Sequence, residues 1–168
     1  MSNAAPRFID SLSAVLFDLD GTLVDSAPDI HAALDRLMAQ KRLPGFARAE
    51  VIGMIGDGVR VLLERAFAAR NMALDEASHA AFMADYEANA AVLTRAFDGI
   101  PELLGLLRGA GWRLAVCTNK PEGAARVLLA GLDDCTGRTQ GHRAILAPCS
   151  SVRAPHTHPF AGCISWRT

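Results

Sequence analysis

Asp18 and Asp20 stand immediately after the apolar run 13–17 and are followed by Gly21 and Thr22. The run is short, continuous and closed by polar and glycine residues, which predicts a buried parallel strand whose carboxyl end opens into a loop. Ligands of open α/β sheets bind beyond the carboxyl ends of strands, so both carboxylates fall where chemistry takes place. Such a pair can divide the work of phosphoryl transfer: one carboxylate attacks phosphorus and the other moves protons. A hard cation offsets their repulsion and the charge of the substrate. Gly21 lets the chain bend sharply beside the nucleophile. The bland reading of Asp-x-Asp-Gly is a solvated turn, because Asp and Gly are turn formers. A second polar group of the same kind, Thr118-Asn119, closes the apolar run 113–117. It reads either as a helix N-cap or as a set of donors for an anion at a helix start.

Several elements must position these residues. Pro28 opens a predicted helix in which Ile30, Leu34, Leu37 and Met38 recur at helical spacing before Pro44-Gly45. Between Arg48 and Arg70, two apolar faces flank Gly56-Asp57-Gly58, the pattern of helix, glycine-hinged turn, helix. A further helix is expected over about 75–92, with Phe82, Met83 and Tyr86, and another over 102–110, stopped by Gly111. The run 113–117 reads as a second strand, leading through Pro121 into a helix with Val127, Leu128 and Leu129. This order predicts an α/β fold: an open sheet whose first crossover is swollen by an inserted helical module. The expected units are 11–27 with 94–132 as core and 28–93 as cap. After Leu132 the chain gathers Cys, His, Pro, Arg, Ser and Thr without a sustained period, so 133–168 is expected to be irregular.

Composition excludes other classes. The chain of 168 residues is 51% hydrophobic and 21% charged with a formal net charge of −1, which describes a globular domain without a basic face for nucleic acid. No stretch approaches a membrane span or a signal-peptide core, and of the four cysteines only Cys117 lies in the patterned part. A reducing, cytoplasmic setting is expected.

The string Phe17-Asp18-Leu19-Asp20-Gly21-Thr22-Leu23-Val24-Asp25-Ser26 resembles the first signature of the haloacid-dehalogenase superfamily, h-h-D-x-D-G-T-L-x-D-S, at every position. The resemblance implies a Rossmann-like core with a type-1 all-helical cap, a bound Mg²⁺ and transfer through an aspartyl-phosphate. It makes Asp18 the nucleophile and a metal ligand. Asp20 becomes the general acid/base, with its carbonyl on the metal. An aspartate at the second position marks the phosphatases rather than the dehalogenases of the superfamily. Asp25 and Ser26 then belong to the turn entering the cap. Leu114-Ala115-Val116-Cys117-Thr118-Asn119-Lys120-Pro121 resembles the second signature in the form familiar from phosphoglycolate phosphatases. It implies that Thr118, with Asn119, binds the phosphoryl group and that the substrate is a small phosphorylated metabolite, 2-phosphoglycolate first. The runner-up is another capped phosphatase, acting on sugar phosphates or phosphonates. Ile55-Gly56-Asp57-Gly58 resembles the loop that such caps present to the site. Arg60 or Arg65 could reach a substrate carboxylate or simply be solvated helix residues. The segment 94–100 resembles the return into the core, with Phe97 and Asp98 where Tyr and Pro are usual.

The resemblance covers 14 to about 132. The superfamily's third signature, a lysine, and its fourth, G-D-x-x-x-D, do not follow; no lysine comes after Lys120. A truncated or frameshifted product is therefore expected, short of a cation at the phosphoryl group and of a metal-binding acid, and of weak or no activity. A catalytically dead relative acting as an interaction module is the corresponding alternative. A different class takes Cys135, His142, Cys149, His156, His158 and Cys163 as zinc ligands, but their spacing forms no paired C-x-x-C or H-x₃₋₅-H unit.

Overall fold

The computed structural model describes residues 14–135, 143–147 and 163–167. Strand β1 (Ala14–Phe17) pairs in parallel with β4 (Arg113–Cys117), in the register Phe17↔Val116. Between them lie β2 (Val24–Asp25), helices α1 (Ala27–Gln40), α2 (Arg48–Ile52), α3 (Val59–Ala68) and α4 (Glu76–Asn89), β3 (Arg95–Ala96) and α5 (Ile100–Gly109). Helix α6 (Glu122–Cys135) follows β4. The order is that of an α/β sheet with a helical insertion in its first crossover, as the sequence leads one to expect. Strands β2 and β3 have no counterpart in the sequence reading. They are two residues each and pair antiparallel, Val24↔Ala96 and Asp25↔Arg95, where the chain leaves for the helices and returns from them.

The expectation of an irregular segment 133–168 needs correction. Helix α6 continues to Cys135, and β5 (Arg143–Ala147) and β6 (Cys163–Arg167) extend the sheet in the order β1-β4-β6-β5, with β6 antiparallel to both neighbours. The physical reason lies in β4. Its second edge carries N–H and C=O groups that need partners, and a five-residue strand can supply them without any period sustained over a longer segment. His142, Cys149, His156 and His158 lie outside the described residues.

Among the described residues, two apolar clusters hold the fold. In α1, Pro28 occupies the first turn and Ile30, Ala33, Leu34, Leu37 and Met38 are buried, a stripe at helical spacing. They pack with Leu62, Leu63, Ala66 and Phe67 of α3 and with Phe82 and Tyr86 of α4. Helix α4 begins at Asp75, whose side chain accepts from the Ser78 amide at 2.6 Å. The second cluster joins Leu114 and Val116 of β4 to Leu104 of α5, to Leu128, Leu129 and Leu132 of α6, and to Leu19, Leu23 and Val24. Helix α6 serves both, since Ala124 belongs to the first cluster and Ala125 to the second. The outer faces of α5 and α6 are open: Leu106 is 73% and Val127 49% exposed.

The two crossings between helices and sheet are tied by a residue without a counterpart in the sequence reading. Asp29 of α1 is buried, and its carboxylate accepts from the Leu93 amide (2.9 Å), the Thr94 amide (2.7 Å) and the Thr94 hydroxyl (2.7 Å). Removing the acceptor strands the two amides, each costing about 1–3 kcal/mol when buried and unpaired, while the Thr94 hydroxyl can still donate to the Ala90 carbonyl at 3.1 Å. Asp29→Ala is therefore expected to lower unfolding free energy by about 3 kcal/mol, read from urea denaturation, since water can reach some of the freed donors. A loss under about 1 kcal/mol would show that the clamp is not what holds the crossing.

Candidate active site

The first strand delivers its carboxylates through a tight turn. The Leu19 carbonyl accepts from the amides of Leu23 at 3.0 Å and Val24 at 3.1 Å, and the Leu19 side chain is fully buried. Asp18 and Asp20, on either side of it, are thereby held at the sheet's carboxyl end. Gly21, at φ +77°, takes the left-handed conformation that closes the turn. Because β4 runs parallel beside β1, Thr118 to Pro121 emerge at the same end. Topology alone thus brings the two polar groups together.

An open cleft of about 480 Å³, its solvent-filled mouth included, lies over this end, lined by Asp18, Asp20, Thr118, Asn119 and Lys120 on the sheet side. Gly56, Gly58, Leu62 and Tyr86 are among its lining residues from the helical insertion. The Asn119 amide donates to the Gly56 carbonyl at 2.8 Å and so fastens one side to the other. Gly58, the residue before α3, has φ +89° and ψ 168°, a region that is essentially glycine's alone. A methyl there would meet the Asn119 carbonyl oxygen at 3.6 Å, an ordinary contact, so the cost of Gly58→Ala is backbone strain rather than a clash. We expect it to destabilise the protein by about 1–3 kcal/mol, checked by chemical denaturation.

Asp20 is the most engaged group of the cleft. Its Oδ1 accepts from the Ser26 hydroxyl at 2.5 Å and from Lys120 Nζ at 2.6 Å. The Lys120 side chain is 1% exposed and that of Asp20 16%. Burial pushes the lysine ammonium below its ordinary range, against the pull of Asp20 beside it and of Asp29 and Asp18 farther off. Asp18 keeps access to solvent, and its Oδ1 accepts from the Leu19 amide at 2.7 Å. Loss of part of its hydration raises its carboxyl above the usual range; the Leu19 hydrogen bond and Lys120 oppose the rise, and Asp20 adds to it. Thr118 is buried and its hydroxyl accepts from the Lys120 amide at 3.2 Å, a local turn ahead of α6 rather than a cap on it, and the residue also lines the cleft.

Of the residues the sequence singles out, Asp18, Asp20, Gly56, Gly58, Thr118 and Asn119 all line this cleft. Arg60 and Arg65 do not. Arg60 pairs with Glu76 at 2.9 Å, and Arg65 with Asp57 and the Met54 carbonyl. The missing third signature leads one to expect no cation at the phosphoryl group; Lys120, a residue of the second signature, nevertheless lines the cleft and pairs with Asp20. Its signal in the sequence was its place directly after Thr118-Asn119. Ser26, expected to be part of a turn, is one of the two partners of Asp20. Tyr86, the one tyrosine of the chain, lines the cleft from α4, although helical spacing alone marks it as a core residue.

The donor set admits a magnesium ion bound sparingly. Mg²⁺ commonly takes one or two carboxylates and completes its shell with water and substrate phosphate. Asp18 has a free, solvent-accessible carboxylate oxygen for it, whereas the Asp20 side chain is engaged by Lys120 and Ser26. Among the described residues no group of three or more His, Cys, Asp or Glu stands ready to hold a metal.

A parallel strand pair, a helical insertion after the first strand and an Asp-x-Asp loop facing Thr-Asn-Lys define the class, and the family model for haloacid dehalogenase-like hydrolases matches residues 12–146. The chain belongs to that family. Its relatives include the phosphoglycolate phosphatase of Cereibacter sphaeroides, 48% identical over 123 residues, which are 71% of this chain and 56% of that protein. The phosphoglycolate phosphatase of Rhodospirillum rubrum is 43% identical over 127 residues, 71% of this chain and 53% of that one. Among solved structures, a "predicted phosphoglycolate phosphatase" from Haemophilus somnus superposes with a TM-score of 0.66 at 30% identity, covering 74% of this chain and 60% of that chain. The chain thus spans about half the length of the curated relatives it matches. No helix among the described residues is long and apolar enough to cross a membrane.

Proposed function

We infer that this chain carries the phosphoryl-transfer site of a phosphomonoesterase of the phosphoglycolate phosphatase type. The observation that carries the reading is the pairing of a solvent-accessible Asp18 with an Asp20 held by Lys120 and Ser26 in one cleft. In the first step Asp18 attacks phosphorus, the ester oxygen leaves and Asp20 gives it a proton; an aspartyl-phosphate results. In the second, water attacks that phosphorus as Asp20 takes the water's proton, the bond from phosphorus to the Asp18 oxygen breaks, and the Asp18 carboxylate is regenerated as inorganic phosphate leaves. Thr118 and Asn119, with the amides at the start of α6, bind the phosphoryl oxygens. Lys120 offsets charge at Asp20 and on the phosphoryl group. Mg²⁺, held by Asp18 and the Asp20 carbonyl, would supply Lewis-acid stabilisation of the transferring group.

Residues 28–93 act as the cap over a core made of 11–27 and 94–132, and they set the choice of substrate. Sequence similarity to the phosphoglycolate phosphatases supports 2-phosphoglycolate as that substrate; the cytoplasm is the setting proposed for it. Asp18 and Asp20 are the two acidic residues lining the cleft among those described. With so few anionic metal ligands, turnover below that of the longer relatives is expected. The test is hydrolysis of p-nitrophenyl phosphate and 2-phosphoglycolate by the purified chain, with and without Mg²⁺. Metal-dependent release of phosphate supports the reading; a chain that releases none from either ester, with the metal present, sinks it.

A further inference from the structure

One donor in the cleft has no partner among the described residues. The Tyr86 hydroxyl is buried and neither donates nor accepts a hydrogen bond among them, in a residue 1% exposed that lines the cleft. Leaving a buried hydroxyl unsatisfied is unfavourable, so one retained in a functional cleft calls for an acceptor from outside the chain. The Ser78 hydroxyl is also unpaired but lies away from the cleft. The ring of Tyr86 is fixed from two sides. It stacks on Phe82 with centroids 5.6 Å apart, and Lys120 Nζ lies 5.2 Å from its centroid. Burial, then the charges of Asp20 and Asp29, push the phenol upward, so it stays a neutral donor. The Lys120 ammonium has three protons, and the bond to Asp20 uses one. The phenol and the ammonium are thus two donors belonging to residues that line one cleft, with the ammonium over the face of the tyrosine ring and apolar walls that include Ile55 and Leu62.

We propose that the Tyr86 hydroxyl and the Lys120 ammonium form a subsite for the second, non-transferring group of the substrate, a carboxylate a few bonds from the phosphoryl group. This rests on the phosphomonoesterase reading and names the residues that would read the other end of such an ester. A site built to hydrogen-bond a substrate group discriminates strongly against an analogue that lacks it, because its own buried donor is then left unpaired. Tyr86 is thereby a specificity residue, while Asp18 and Asp20 treat every phosphomonoester alike.

The experiment compares equilibrium binding of 2-phosphoglycolate and of ethyl phosphate, which lacks the carboxylate, by calorimetry in an Asp18→Asn background that prevents turnover. The parent background is expected to favour 2-phosphoglycolate by at least about 10-fold, and addition of Tyr86→Phe to bring that preference below about 3-fold. A preference near unity in the parent, or one that Tyr86→Phe leaves intact, overturns the subsite. A second reading needs no further substitution. With one tyrosine in the chain, 3-fluorotyrosine labelling gives a single resonance, which must move more with 2-phosphoglycolate than with ethyl phosphate; equal movement refutes the proposal. Failure of the two ideas is distinguishable. Absent hydrolysis of both test esters counts against the proposed function, whereas hydrolysis with an unaltered binding preference in Tyr86→Phe counts against the subsite alone.

Discussion

Asp18→Asn is expected to take Mg²⁺-dependent hydrolysis of p-nitrophenyl phosphate to background, a loss on the order of 10⁴-fold or more, the scale seen when a covalent nucleophile is removed. The amide is a poor nucleophile, and it also withdraws a negative oxygen from the metal position. The substitution is close to isosteric, and its remaining oxygen can still accept from the Leu19 amide, which Asp18 Oδ1 engages at 2.7 Å. Asp18 is exposed, so little packing is at stake. Thermal unfolding within a few degrees of the parent is therefore expected together with lost activity. That combination separates a chemical role from a structural one. Parental phosphate release from a clean Asp18→Asn preparation would remove Asp18 from the role of nucleophile.

How much of this was legible beforehand depended on whether the signal was local. Asp18 and Asp20 follow a recognisable strand, and Thr118 and Asn119 follow another; once two strands are parallel neighbours, their carboxyl ends coincide and the cleft is implied. Gly56 and Gly58 were legible for the same reason, since a glycine pair between two helical faces marks a turn whatever it docks against. Residues whose importance comes from distant partners were not legible. Asp29 sits in the first turn of a helix, where an acid needs no further explanation, and only folding reveals that Leu93 and Thr94 converge on it. Tyr86 shares the spacing of core residues, and nothing local distinguishes a satisfied phenol from an unpaired one. For Arg60 and Arg65 the second of the two readings, that of solvated helix residues, is the one the structure fits: exposed arginines find the nearest acid, here Glu76 and Asp57. Strands β5 and β6 are no shorter than β1 and β4, which were legible because each opens through a polar turn towards a helix of clear period; β5 and β6 stand in a segment without such neighbours.

Lys120→Met should lower kcat/KM for p-nitrophenyl phosphate about 10²- to 10³-fold, the usual cost of one preorganised electrostatic contact. Methionine keeps an unbranched stem in a position that is almost wholly enclosed, so the change isolates the charge. Two effects then add. The transferring phosphoryl group loses a cation lining its cleft, and Asp20 loses the partner 2.6 Å from its Oδ1, retaining the Ser26 hydroxyl. Breaking a fully buried pair costs about 3–5 kcal/mol of stability. Here the Asp20 side chain is 16% exposed and faces the cleft, so water can take up its stranded charge and a smaller loss is expected. A double-mutant cycle decides how the lysine acts. If its work passes through Asp20, Asp20→Asn and Lys120→Met together are little worse than the more severe single change; if it acts on the phosphoryl group directly, the losses multiply. A Lys120→Met variant hydrolysing p-nitrophenyl phosphate at the parental rate would leave the ion pair a structural feature, and the cation at the reaction centre would have to be sought elsewhere in the chain.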